Sequence, residues 1–258
     1  MAVAAPTMDF TGQVVVVTGG SRGVGAGIVA AFKDAGASVV TCGRNPVEID
    51  GVTFVTADVR QPEQAAAVIN AAVTEHGRLD VLINNAGGSP KVMADVASPK
   101  FTESIIRLNL LAPIFCAQAA HAVMVTQESG GAIVNVASVS GLRPSPGTAA
   151  YGAAKAGLIN LTTSLAVEWA PQVRVNCISG GLLQTDEGEG HYGGPEGLKR
   201  MADTVPMGRM GTPADVASAC LFLASPLSSY VSGANLVLHG GGEWPAFHAA
   251  LEEPKPTP

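Results

Sequence analysis

Hydrophobic and polar positions along this chain form two alternating kinds of segment. Short runs rich in β-branched residues are followed by longer alanine-rich runs, a rhythm typical of βαβ units around a buried parallel sheet. The short runs predict strands at 13–18, 38–42, 53–56, 79–83, 132–136, 173–178 and 235–238. The longer runs predict helices at about 25–35, 62–76, 101–125, 148–170 and 213–224. The pattern predicts an α/β fold: a single domain over 1–258 with a doubly wound, seven-stranded parallel sheet flanked by helices.

Two segments lack this rhythm. Residues 183–206 are rich in glycine and acidic side chains, include His191 and show no clear periodicity, which predicts a variable loop over a substrate site. Residues 243–258 end in a proline-rich sequence and are predicted to form a flexible tail. His191 is either a substrate contact or, more commonly for a loop histidine, a solvated side chain.

Two predicted helices carry start signals. Pro62 and Pro213 suit the first helical turn, where a missing backbone N–H is not needed for the helix. Asp58 and Thr212 precede them as polar residues and are predicted to start these helices.

The composition narrows the class of protein. Hydrophobic residues make up 47% and charged residues 14%, against about 25% charged residues in an ordinary globular domain. This low fraction of charged residues indicates a thick core or a surface that is buried between subunits. The net charge of −6, without a basic cluster, argues against nucleic acid as a partner.

Cysteine usage and the apolar runs bear on location. The spacing of the cysteines predicts buried thiols in a reducing compartment rather than disulfides or metal ligands: Cys42, Cys116, Cys177 and Cys220. The N-terminus lacks the features of a targeting segment, and no run of about 20 apolar residues indicates a membrane span. We therefore expect a cytoplasmic protein with no membrane partner and no metal.

A glycine-rich turn follows the first predicted strand and leads into a helix. Glycines let a backbone approach a pyrophosphate closely, and a helix N-terminus offers unpaired N–H groups and partial positive charge. A tight turn without a ligand is the alternative, but the position within a βαβ unit favours a dinucleotide. The residues predicted to hold its phosphates are Gly19, Ser21, Arg22, Gly23, Val24 and Gly25.

The end of the second strand predicts which dinucleotide is bound. Gly43 occupies the position where dinucleotide folds commonly carry an acid for the ribose 2′-OH, and Arg44 follows it. A guanidinium at Arg44, with Arg22 from the first turn, suits a 2′-phosphate. NADP(H) is therefore favoured over NAD(H), the alternative being that Arg44 is a solvated loop residue.

Two further loops are predicted to contact the cofactor. Asp58 and Val59 follow the third strand and are expected at the adenine; the alternative for Asp58 is that it only starts the next helix. Asn85, Ala86 and Gly87 follow the fourth strand, where small residues allow the backbone to lie against a ribose. A plain turn is the alternative for this second loop.

Tyr151 and Lys155 lie one turn apart on the predicted helix 148–170, so their side chains share a face. A phenol with a pKa of about 10 is a poor base at neutral pH. An ammonium about 4 Å away supplies roughly 4 kcal/mol at an effective dielectric constant near 20, which lowers a phenol pKa by at most about 3. The pair predicts a proton-transfer site, with an exposed surface pair as the alternative.

Two polar residues extend this site. Ser138 follows the fifth strand, from which a loop can return it beside the phenol to bond a substrate oxygen. Asn109 lies in an apolar helical stretch, where burying a side-chain amide without hydrogen-bond partners would destabilise the fold. A helix-breaking serine and an amide bonded to backbone are the alternatives for the two residues taken singly.

These motifs together resemble the short-chain dehydrogenase/reductase family, whose members have a Rossmann-type fold. The matching residues are TGGSRGVG at 18–25, NNAG at 84–87, Asn109, Ser138 and YGAAK at 151–155, in the family's order across most of the chain. The combination is highly specific.

The resemblance implies a role for each matching residue. Tyr151 would act as general acid in reduction and base in oxidation, and Lys155 would lower its pKa and bond the nicotinamide ribose. Ser138 would steady the substrate oxygen, and Asn109 would hold a water that links Lys155 to solvent. Hydride would pass between the nicotinamide and the carbonyl carbon.

Two positions depart from the family. Gly180 replaces a common proline after the sixth strand, which frees the backbone beside Leu183 and Thr185, the residues that the resemblance assigns to the nicotinamide. His239 stands where the family usually has an aspartate, and we expect a turn or interface residue there.

The resemblance also bears on partners. Similar proteins pair the helices corresponding to 101–125 and 148–170 across a dimer and join dimers through the C-terminal strand region, which implies a homotetramer. Glu128 and Gln172 lie in regions where carrier-dependent members tend to have arginines, so a carrier-protein substrate is disfavoured. A small-molecule ketone or secondary alcohol is expected.

Three alternatives remain open at this point. The first is an NAD(H)-dependent alcohol dehydrogenase of the same family. The second is a dinucleotide-binding protein that senses or regulates without turnover, against which Tyr151 and Lys155 argue. The third is a sugar epimerase or dehydratase of the family's extended branch, which the spacing from Gly19 to Gly23 and the lack of a sizeable C-terminal domain disfavour.

Overall fold

A computed structural model describes residues 8–185, 194–245 and 247. They form a parallel seven-stranded sheet in the order β3-β2-β1-β4-β5-β6-β7. The strands are β1 Val14–Thr18, β2 Ser38–Gly43, β3 Val52–Thr56, β4 Val81–Asn84, β5 Gly131–Ser138, β6 Val173–Gly180 and β7 Asn235–Leu238. Every predicted strand is present, and the predicted fold class is confirmed.

Helices cover both faces of this sheet, as the apolar strand sequences require. The helices are α1 Gly23–Asp34, α2 Pro62–His76, α3 Pro99–Ile106, α4 Ala112–Met124, α5 Ala149–Glu168, α6 Gly194–Asp203 and α7 Pro213–Ala224. Successive side chains of a strand point to opposite faces. Accordingly, Val14 and Val16 pack in one core with α2 and α4, while Val15 and Val17 pack in the other with α1 and α7.

The strand order fixes where a site can form. From β1 the chain builds outward to β2 and β3, then returns to add β4 on the other side of β1. The loops after β1 and β4 therefore leave the sheet in opposite directions and open a crevice at the carboxyl ends of the strands.

The start signals of α2 and α7 have different outcomes. Thr212 forms a capping box with Asp215 at the start of α7, as expected. The prediction that Asp58 starts α2 is wrong: Gln61 is the N-cap and makes no side-chain capping bond. The Asp58 carboxylate instead pairs with Arg60, an interaction stronger than a bond to a neutral amide.

The prediction of a single helix at 101–125 is wrong in its details. It begins at Pro99 behind the cap residue Ser98, and a π-helical segment, Arg107–Leu111, separates α3 from α4. Pro113 explains the break, because it lacks the N–H that an α-helix would donate to the carbonyl of Asn109.

The continuous helical stretch Pro99–Met124 is long and apolar enough to cross a membrane by length and composition alone, measures that core helices of globular proteins also meet. Its residues Ala117, Ala120 and Met124 are buried in the core with α2. The absence of a membrane partner stays a prediction.

The predicted loop at 183–206 is not irregular throughout, because it contains α6. The sequence does not show the apolar spacing of a helix, because Leu198 is the one large apolar side chain that α6 buries. The start of the predicted tail is also anchored: Glu243 pairs with Arg143, and the Trp244 N–H bonds the Thr204 carbonyl at 3.2 Å. His191 and most of the predicted tail lie outside the described residues.

The cysteines are free and buried, as predicted, and lie on elements of the core. Burial raises the pKa of Cys42 and of Cys177 to about 11, and it raises the pKa of Cys116 and Cys220 as well. The described residues contain no cluster of metal-ligating side chains.

Candidate active site

A cleft of about 790 Å³ opens at the carboxyl ends of the strands. All the residues predicted to bind the cofactor line it: Gly19, Ser21, Arg22, Gly23, Val24, Gly25, Arg44, Asp58, Val59, Asn85, Ala86, Gly87, Tyr151, Lys155, Leu183 and Thr185. Ser138 lines it too, whereas Asn109 lies behind the wall. The fold thus brings the two predicted sites into one cavity.

The glycine-rich turn is built for close approach. Gly19 has a φ of +69°, which favours glycine, and a Cβ at Gly25 would lie 2.2 Å from the Gly19 carbonyl oxygen. α1 starts within this turn, and its N-cap, Arg22, makes no side-chain capping bond. The first N–H groups of α1 therefore keep their capacity to bind an anion, which fits a dinucleotide pyrophosphate.

The β4 loop holds this turn in place. The Asn85 side-chain amide donates to the carbonyls of Thr18 and Gly19 at 3.0 and 3.2 Å. In return, the Thr18 hydroxyl accepts the backbone N–H groups of Asn85 and Ala86, both at 3.0 Å. These bonds fix the two loops that border the crevice.

Two arginines line the part of the cleft that is predicted to hold the adenosine. Gly43 lies beside Phe54 and Ser21. A Cβ at Gly43 would be 3.2 Å from Phe54 Cζ and 3.6 Å from Ser21 Oγ. Arg22 and Arg44 line the cleft beside them. Across residues 8–185, 194–245 and 247, neither guanidinium forms an ion pair, so both keep donors for a ligand.

Arg60 is a cleft residue that sequence reasoning missed. It holds the Asp58 carboxylate with Nε at 2.9 Å and Nη2 at 2.6 Å from its two oxygens. Hydrogen bonding to Arg60 lowers the pKa of Asp58. The spacing Asp-Val-Arg after a strand was the available signal. The predicted contact of Asp58 with adenine stays a prediction. The carboxylate that would make this contact is already paired with Arg60.

Tyr151 and Lys155 share one face of α5, and both line the cleft. Lys155 Nζ lies 5.6 Å from the centroid of the Tyr151 ring and donates to the Val136 carbonyl at 2.7 Å. The Lys155 residue is 3% exposed. Burial lowers its pKa from 10.5 to about 8, because removing an ammonium from water is unfavourable.

Ser138 is the last residue of β5 and is oriented by its own loop. Its Oγ accepts the Ser140 backbone N–H at 3.1 Å. This bond uses one lone pair of the oxygen and leaves the hydroxyl proton available to be donated into the cleft. Ser138 therefore suits the role of donor to a substrate oxygen.

Asn109 is fully buried in the π-helical segment. Its Nδ2 donates to the carbonyls of Gly88 and Ile105 at 2.9 and 3.0 Å, and its Oδ1 accepts the Gly88 N–H at 2.9 Å. A Cβ at Gly87 would lie 2.8 Å from Asn109 Oδ1 and 3.2 Å from Lys155 Nζ. Asn109 therefore fixes the loop that lies against Lys155, and its bonds to backbone match the alternative interpretation.

The two departures from the family lie close together. Gly180 pairs with Ser138 in the β5–β6 register, and it lines the cleft with Gly181. His239 packs against Gly181, since a Cβ there would lie 2.7 Å from the His239 Cβ. The expected turn or interface role of His239 stays a prediction.

Known proteins resemble the chain over most of its length. Residues 11–243 match the family described as enoyl-(acyl carrier protein) reductase. A 3-oxoacyl-[acyl-carrier-protein] reductase of Chlamydia muridarum is 38% identical, covering 88% of this chain and 95% of the relative. A 2-dehydro-3-deoxy-D-gluconate 5-dehydrogenase of Escherichia coli is 34% identical, covering 90% and 96%.

A solved structure is similar as well. The aldohexose dehydrogenase of Thermoplasma acidophilum superposes with a TM-score of 0.86 at 29% identity. The similarity covers 96% of this chain and 98% of that enzyme. The resemblance therefore extends through the sheet and both helical layers.

Proposed function

The chain belongs to the short-chain dehydrogenase/reductase family of NAD(P)-binding oxidoreductases, and we propose that it interconverts a ketone and a secondary alcohol with NADP(H) as preferred cofactor. One observation carries the proposal: Ser138, Tyr151 and Lys155 line the same cleft as the glycine-rich turn after β1. A nicotinamide bound there would supply or accept the hydride.

Tyr151 is the proposed general acid in reduction and the general base in oxidation. Its phenol would deliver a proton to the substrate oxygen as that oxygen gains negative charge. The Ser138 hydroxyl would donate a hydrogen bond to the same oxygen and stabilise the developing charge. In oxidation the same groups would work in reverse, with the phenolate taking the proton from the alcohol.

Lys155 is the proposed source of positive charge for this proton transfer. Its buried ammonium would stabilise the phenolate of Tyr151 more strongly than a solvated ammonium, because the local dielectric constant is low. We propose that Asn109 supports Lys155 by fixing the loop at Gly87 and Gly88, where its bonds lie. Its role in holding a water stays a prediction.

NADPH is expected to bind more tightly than NADH, and Arg44→Ala is expected to remove this preference. Loss of a charge-assisted phosphate contact should raise the Kd for NADPH by about 10- to 100-fold and leave the Kd for NADH nearly unchanged. Titrating both nucleotides against the two proteins measures this. Arg200→Ala is a matched control, because it removes an exposed arginine outside the cleft. A wild-type preference for NADH would contradict the proposal.

We propose a free small molecule as the substrate. The relatives are named for carrier-bound acyl groups and for sugar acids, so the family does not fix the substrate. Glu128 and Gln172 are not basic, although they lie in regions where carrier-dependent members of the family tend to have arginines, which argues against an acidic carrier protein. Following NADPH consumption across free ketones, keto acids and acyl thioesters tests the proposal. Turnover with carrier-bound substrates alone would contradict it.

We also propose that the chain, as one domain, forms a homotetramer in the cytoplasm. Only 39% of the most apolar window of Pro99–Met124 is buried within the chain, and Val167 on α5 is 82% exposed. The edge strand β7 also exposes Leu236 and Val237. Light scattering coupled to gel filtration is expected to give a mass of four chains. A monomeric mass at micromolar concentration would contradict this.

A further inference from the structure

Three hydroxyl groups form a chain across the loop that joins Ser138 to Tyr151, and they belong to Ser140, Ser145 and Thr148. We propose that Ser145, the middle member, is a positioning residue that sets the spacing between the Ser138 hydroxyl and the Tyr151 phenol. The inference rests on the proposed function, since these two groups would meet at one substrate oxygen. Ser138 ends β5 and Tyr151 lies in the first turn of α5, so the loop between them helps to fix their separation.

Hydrogen bonds lead from Ser138 through the loop to the start of α5. The Ser140 backbone N–H donates to Ser138 Oγ at 3.1 Å. Ser145 Oγ donates to Ser140 Oγ at 3.1 Å and lies 2.5 Å from Thr148 Oγ1. The Thr148 carbonyl in turn accepts the Gly152 N–H at 2.9 Å, a bond of the first turn of the helix. Ser145 therefore links the Ser138 side of the loop to α5.

The sequence around Ser145 restricts its position before these bonds form. Pro144 and Pro146 flank it, and a proline fixes its own φ at about −65° and lacks a backbone N–H. A residue that precedes a proline is itself confined largely to extended conformations. The Ser145 side chain thus starts from a narrow range of positions, and less conformational entropy opposes its two hydroxyl bonds.

Thr148 makes an unusual contact for a helix cap. It is the N-cap of α5, a position where a threonine hydroxyl commonly accepts a backbone N–H from the first turn. Its side chain makes no such capping bond and contacts Ser145 instead. The Thr148 N–H also donates to the Ser145 carbonyl at 3.0 Å. The N-cap residue therefore connects the helix to the loop through both its backbone and its hydroxyl.

The loop packs directly on α5 as well. A Cβ at Gly152 would lie 2.8 Å from the Ser140 carbonyl oxygen and 3.5 Å from Ser145 Cβ, so little space separates the loop from the helix. A displacement of Ser145 would move Ser140, whose N–H holds the Ser138 oxygen. The hydroxyl chain lies outside the described lining of the cleft, which includes Ser138. Ser145 would therefore act through its neighbours and not on a ligand.

Ser145→Ala and Thr148→Val each remove one hydroxyl of the chain, and each is expected to lower kcat about tenfold, because small misplacements of reacting groups slow proton transfer. The Kd for NADPH and the number of binding sites should stay at wild-type values, which a general loss of folded protein would not allow. Thr148→Ser keeps the hydroxyl and should restore kcat to within about twofold of wild type. Steady-state rates and nucleotide titration on the same samples measure these quantities.

The double variant Ser145→Ala/Thr148→Val is expected to be no more than about twofold slower than either single variant, because both lose the same bond. Thr126→Val is the matched control. Thr126 is exposed, and its hydroxyl donates to the carbonyl of Val123, three residues earlier, at 2.7 Å, as that of Thr148 does to the Ser145 carbonyl at 3.4 Å. This control should leave kcat unchanged.

The outcomes separate the inference from the proposed function. Wild-type kcat in Ser145→Ala, equal losses in Thr148→Ser and Thr148→Val, or independent losses that multiply in the double variant would each overturn the role of Ser145 alone. A wild-type protein that turns over no ketone or secondary alcohol would overturn the proposed function and the inference with it.

Discussion

Turnover by Tyr151→Phe is expected to fall by about 10²- to 10⁴-fold, the usual contribution of a general acid or base. The variant keeps the aromatic ring that lies beside Lys155 and removes only the hydroxyl that would move the proton. The Kd for NADPH should stay within about threefold of wild type, since this hydroxyl is one of many contacts in a large cleft. Steady-state rates and nucleotide titration on the same samples measure the two quantities.

Tyr230→Phe provides the matched control. Tyr230 is fully exposed, so the same chemical change there should leave turnover unaltered. If Tyr151→Phe and wild type reduced the same ketones at equal rates, another group would have to supply the proton, and the proposed mechanism would be wrong.

Lys155→Met is expected to abolish most activity and, at neutral pH, to make the protein more stable. The fall in the lysine pKa from 10.5 to about 8 corresponds to about 3 kcal/mol of unfavourable burial. The variant removes this cost but loses the charge-assisted bond to the Val136 carbonyl, which is worth about 1.5–3 kcal/mol. A net gain of about 1 kcal/mol in the free energy of unfolding follows.

The gain depends on pH in a defined direction. Below pH 8 the lysine is charged in both the folded and unfolded chains, so wild type carries the full cost of burial. Between pH 8 and 10.5 the unfolded chain holds more protons than the folded chain, so the stability of wild type rises with pH. The advantage of Lys155→Met should therefore shrink across this window.

Denaturant unfolding of both proteins from pH 7 to 10 measures this advantage. Lys199→Met is the control, because Lys199 is largely exposed in an i,i+4 ion pair with Asp203 and should show no comparable change. A Lys155→Met variant less stable than wild type at pH 7 would contradict the expectation. The predicted result means that the active site is maintained at a cost to folding stability.

The sheet and the cleft follow from local sequence, because each strand is a short apolar run and each cofactor loop begins where a strand ends. α6 does not follow, because its apolar face is reduced to Leu198 and glycines surround it. The π-helical segment had a signal in Pro113, but a proline in an apolar helical pattern does not say by itself whether the helix ends, bends or widens.

The ion pair in the cleft and the packing around Leu183 were harder to predict than the candidate catalytic residues. Tyr151 and Lys155 are set by helical spacing, which is a local property. The pairing of Asp58 with Arg60 depends on side-chain rotamers, which the sequence does not specify. The contact of Leu183 with Gly180 and Gly211 brings together three separate positions, so only the folded chain reveals it.

The buried cysteines have a practical consequence for spectroscopy. A thiol reacts with maleimides and iodoacetamides as the thiolate, and burial with a raised pKa suppresses that form at all the native positions. We therefore expect the folded wild-type chain to react with these reagents as slowly as a cysteine-free protein. A single cysteine introduced at an exposed position such as Met207 would accept a fluorophore or spin label selectively, with the native core sequence left intact.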